Sequence, residues 1–209
     1  MSLSAEVQHA LDEVADTIRE NVSDKHHLIE QAAGLDSAFD NGEVRAPMLR
    51  HVVYQGARMA TISTGIDFRP ICGGGRELRI LDGTTDLRIR IRRARVSADG
   101  TPRVSVNSES ALAHWDADAA STMFSVELWV LLFVVDGNYQ IETVMAAEVI
   151  GFEEGSPGYL KLGPAVILGS SEPDPGGVRF TPDEDDELDG FDEGWLDEDE
   201  WGDDLDESA

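Results

Sequence analysis

The sequence predicts an α+β fold: N-terminal helices packed on an antiparallel meander sheet, followed by a disordered acidic C-terminal tail. Three observations carry that prediction. Up to Thr64 the apolar residues recur at helical spacing, and from Glu77 to Leu168 the period drops to two with turn formers between the runs. Beyond Pro182 the chain becomes a low-complexity acidic tract. The division expected is a globular domain over residues 1–171, with helices within 4–64 and strands within 76–169. A Pro/Gly linker over 172–182 and an acidic, aromatic-containing tail over 183–209 complete it.

Residues 4–21 read as the first helix, with Val7, Leu11, Val14 and Ile18 on one stripe and Ser4 as N-cap. That stripe fits either a dimer seam or packing on the sheet. A second helix is expected over 24–33, capped by Ser23 and stopped at Gly34. A loop follows over 35–44, marked by Asp36, Asp40, Asn41 and Gly42. Pro47 suits the first turn of a third helix, whose apolar face continues through Leu49, Val52, Val53 and Ala60.

Residues 77–81 and 86–96 flank the turn Asp82-Gly83-Thr84-Thr85 and read as a hairpin. In the second strand Leu87, Ile89 and Ile91 alternate with Arg88, Arg90 and Arg92. The parity then slips, so that Ala94 and Val96 take the apolar places and Arg93 and Arg95 face out, the signature of a β-bulge. Asp99-Gly100 turns the chain into a strand at 103–107, and residues 108–122, with His114 and Trp115, form a polar connection. The nearly all-apolar run 124–135 suits a central strand, and strands at 139–152 and 159–168 close the meander.

Composition narrows the function. With 41% apolar residues among 209, a core is expected, and a single cysteine, Cys72, excludes a disulfide scaffold and multi-cysteine zinc sites. The formal charge of −26 comes from 42 acids against 16 bases, which argues against simple attraction to nucleic acid or to an anionic membrane. The longest apolar run, 128–135, is far short of the ~20 residues that span a bilayer. The acidic, amphipathic start does not read as a secretory signal, so a cytoplasmic location is expected.

The charge is unevenly placed. Residues 181–209 hold 16 acids and no Lys or Arg, which leaves −10 for residues 1–180. Residues 1–46 carry 10 acids and 3 bases, whereas residues 69–103 carry nine arginines against Glu77, Asp82, Asp86 and Asp99. Salt adaptation would spread the acids over the whole surface, so their concentration in one run argues for a dedicated segment. The bias to Arg (14, against Lys25 and Lys161) suits a GC-rich coding sequence.

The tail is the most specific signal. Phe191, Trp195 and Trp201 interrupt its acids, and exposed tryptophan is typical of an interface anchor rather than of a solubilising segment. The expected role is a non-enzymatic binding or inhibitory protein, resembling in action an antitoxin, an immunity protein or a DNA mimic. It would engage a basic protein partner through these aromatics and through Asp183, Glu184, Asp185, Asp186, Glu187, Asp197, Glu198, Asp199 and Glu200.

The alternative is a nucleic-acid-associated protein using Arg88, Arg90, Arg92, Arg93 and Arg95, with the tail as internal competitor. That strand lacks the aromatics which single-strand binders combine with charge, and its arginines equally suit pairing with acids on neighbouring strands. An enzyme using Cys72 or Asp82 and Asp86 is the weakest reading. Cys72 has no defined partner, and the acids border a turn that needs them for structural reasons. No metal or cofactor is expected. His26 and His27 are adjacent and so point to different helix faces.

Overall fold

A computed structural model describes residues 3–35, 42–71, 75–97, 100–106, 125–155 and 157–169. Helix α1 (Ala5–Ala33) begins where Ser4 Oγ accepts the Val7 N–H at 3.3 Å, and it ends at Gly34, whose N–H reaches Glu30 O at 2.9 Å. Helix α2 (Gly42–Thr64) returns antiparallel to it. Among the described residues up to Thr64 there are two helices where the sequence suggested three. The polar run Asn21 to Asp24 reads locally as a break, yet α1 passes straight through it. Asn21 is buried and donates from Nδ2 to Val52 O at 2.6 Å, and Lys25 Nζ donates to Gln55 Oε1 at 2.7 Å. Contacts across the helix pair outweigh the weak local preference for a turn.

At the same crossing Gly56 admits a close approach: a Cβ there would lie 2.9 Å from Ile18 Cα. Pro47 falls in the second turn of α2 rather than the first, at an exposed position.

Among the described residues ten strands follow: β1 (Asp67–Pro70), β2 (Arg76–Asp82), β3 (Thr85–Arg93), β4 (Arg95–Val96), β5 (Pro102–Arg103), β6 (Ser105–Val106), β7 (Ser125–Val135), β8 (Ile141–Glu153), β9 (Gly158–Leu162) and β10 (Val166–Leu168). The main sheet has the order β1-β2-β3-β7-β8-β9-β6, with β10 also on β8, and β4 and β5 pair separately. The hairpin expected at Gly83-Thr84 forms, with Asp82 opposite Thr85.

The fold is α+β with the helices on one face of the sheet, as expected, but the sheet is mixed. β3 and β7 run parallel, and the other pairings are antiparallel. The parity slip after Arg92 marks the end of a strand, not a bulge. The chain leaves β3 at Ala94, forms β4 and β5 apart from the sheet and β6 on its far edge beside β9, and re-enters beside β3 in the same direction. A crossover of this length is what parallel neighbours require.

Two cores result. Val7, Leu11, Val14 and Ile18 pack with Val53 and Ala57 of α2 onto Ile89, Ile91, Trp129, Leu131, Val144 and Leu168, so the α1 stripe packs on the sheet. On the opposite face Leu128, Val130, Leu132 and Met145 meet Val104, Val106 and Leu160, brought over by β6 and β9. β7 is therefore buried on both faces, as its apolar run suggested. Among the described residues no helix is long and apolar enough to cross a membrane.

Candidate functional site

The arginine strand β3 does not present five cations together. Strand alternation sends Arg88, Arg90 and Arg92 to the face away from the helices. Arg93, opposite Phe133, lies on the helix side, and Arg95 belongs to the separate β4–β5 pair.

On the outer face the charges are matched within the sheet. Asp86, 1% exposed, accepts from Arg79 Nε at 2.6 Å and Nη2 at 2.9 Å, and from Arg88 Nε at 3.2 Å. Burial alone would raise the Asp86 pKa. The hydrogen bonds from Arg79 and Arg88, with their charges, outweigh it and hold the carboxyl below its ordinary value. The Arg79 pKa is raised, chiefly by its hydrogen bonds to Asp86.

Arg90 Nε lies 2.9 Å from Glu77 Oε2, a close charge contact off the hydrogen-bond direction. Burial lowers the Arg90 pKa, and the Glu77 charge partly offsets this. Arg93 is exposed as a residue, but its guanidinium sits 5.8 Å from the centre of the Tyr139 ring, and burial lowers its pKa. Arg45 lies over the same ring at 5.7 Å, and Arg103 lies over Tyr159 at 4.5 Å. Arg92 and Arg95 have interaction partners as well.

The acids weighed as catalysts separate in the same way. Asp86 is opposite Leu81 and Asp82 is opposite Thr85, so Asp82 and Asp86 project from opposite faces. Among the described residues no group of His, Cys, Asp and Glu is arranged to hold a metal. His26 instead meets Asn138 O and lies near Glu30. Cys72 with Gly73 and Gly74, the 108–122 connection with His114 and Trp115, the linker 172–182, and the whole acidic segment with Phe191, Trp195 and Trp201 lie outside the described residues.

The C-terminal end of the sheet is fixed to α1. Arg19 Nη2 donates to Leu168 O at 2.7 Å, and the Gly169 N–H donates to Asp12 Oδ1 at 2.8 Å, while Asp16 holds Arg19 at 3.1 Å. Gly169 has φ +89°, and a Cβ there would fall 2.0 Å from Arg19 Nη1. Sequence reasoning missed this clamp. Its contacts span some 150 positions, and no local pattern signals them.

A cleft of about 480 Å³ opens where the start of α1, the end of α2 and the β2–β3 hairpin meet. Glu6, Val7 and Ala10 form one wall and Ile80 and Asp82 another. It too went unseen in the sequence, because its walls are far apart along the chain. No protein family matches this chain, and neither does any curated protein or solved structure.

Proposed function

We propose that this protein is a non-enzymatic binding protein. Its acidic C-terminal segment engages and restrains a basic macromolecular partner, in the manner of an antitoxin, an immunity protein or a DNA mimic. The observation that carries this reading is the division of charge. Residues 181–209 hold 16 acids with no base, interrupted by Phe191, Trp195 and Trp201. Five arginines in or beside the arginine strand, Arg79, Arg88, Arg90, Arg93 and Arg103, already have Asp86, Glu77 or aromatic rings as partners.

Where the most arginine-rich strand of the body is already matched from within, the acidic segment is better served by a cationic surface in trans. Carboxylates in series then stand in for phosphates, and the aromatics supply anchoring contacts. The same internal pairing weakens the case for nucleic-acid binding through Arg88, Arg90, Arg92, Arg93 and Arg95. A phosphate backbone would have to displace buried carboxylates from the first two.

The test is capture from the native host by the full chain and by a chain ending at Pro182, with retained proteins identified by mass. The full chain is expected to retain a basic protein that the truncated chain loses, with capture weakening as salt rises. Retention of the same proteins by both would contradict the reading. A truncated chain that gained salt-sensitive nucleic-acid binding would favour the arginine-strand alternative.

A further inference from the structure

The cleft between α1, α2 and the β2–β3 hairpin has a composition that selects a ligand. Its walls are apolar at Val7, Ala10, Ile66 and Ile80, all on the helix side of the sheet. Of its charged residues, Arg69 is bound to Asp67, and Arg79 is committed to Asp86. Glu6 and Asp82 make no ion pair among the described residues, so the cleft carries a net negative charge above an apolar floor. Its volume falls within the roughly 300–1,000 Å³ usual for ligand sites.

We propose that this cleft receives an arginine side chain of the basic partner. The aliphatic stem lies along Val7, Ala10 and Ile80, and the guanidinium turns to the carboxylates of Glu6 and Asp82. An arginine side chain combines the two properties that the walls ask for, an apolar stem and a cationic fork. The inference rests on the reading of a basic partner and gives it a second contact, on the folded body.

The test is a titration of the full chain with N-acetyl-arginine N-methylamide, followed at the backbone amides of Gly65 and Gly83, which both border the cleft. Saturable shifts are expected at these two positions and not with the neutral citrulline analogue. The double variant Glu6→Gln/Asp82→Asn is expected to bind about fivefold more weakly, as the loss of two exposed ion pairs implies. Ala10→Arg, on the α1 wall of the cleft, is expected to abolish the shifts by filling it. Absent shifts, equal shifts with citrulline, or unchanged binding by both variants would overturn the proposal. These amides report on the cleft alone. Their silence would therefore leave capture by residues 183–209 standing, and failure of that capture would leave a positive titration standing.

Discussion

At Asp86 one buried carboxylate balances two guanidiniums, and beside it Glu77 faces Arg90 alone. Asp86→Asn leaves Arg79 and Arg88 without their anion and is expected to cost about 2–4 kcal/mol of stability, measured by urea denaturation. The Asp86 pKa is lower in the folded protein than the ordinary value of about 3.9. Its contribution is therefore present above about pH 4 and lost as pH falls through the folded value. In the variant that part of the acid limb disappears, so its stability relative to the native chain recovers as pH falls below 4.

Gly169 offers a second residue-scale test. Alanine there meets both a left-handed backbone and Arg19, and is expected to lower stability by about 1–3 kcal/mol. Equal stability of Gly169→Ala and the native chain would show that the clamp on α1 is not held in solution.

Among the elements, the helix pair and the β2–β3 hairpin show what the sequence reveals. The turn at Gly83-Thr84 is legible, and once it is placed the register follows: Glu77 must face Arg90 and Arg79 must face Arg88. The acidic partners of the arginine strand were thus within reach of the sequence. The unbroken course of α1 was not, because Asn21 satisfies its amide only against Val52 of another helix. The parallel pairing of β3 with β7 was equally hidden. An alternating strand looks the same whichever way its neighbour runs, and only the crossover after Arg93 decides the direction. Gly56→Val, at the α1–α2 crossing, is expected to force the helices apart and cost about 2–3 kcal/mol, read as a lowered melting temperature. An unchanged melting temperature would mean that the close approach at Ile18 is dispensable.

Over the whole molecule, the charge of −26 is the sum of unlike parts: an acidic helix layer, an arginine strand matched from within, and a C-terminal run with no cation of its own. The chain leaves the sheet at Gly169 on the α1 side, opposite the face that carries Arg88 and Arg90. The aromatics decide whether the acidic run binds or merely solubilises, and a variant that removes them while keeping every charge separates the two. The most direct measurement is therefore capture of the basic partner from the host by the full chain carrying Phe191→Ala/Trp195→Ala/Trp201→Ala, beside the native chain at the same salt. At least about a tenfold loss of the captured protein is expected, with all 16 acids in place. Undiminished capture by the triple variant would contradict it.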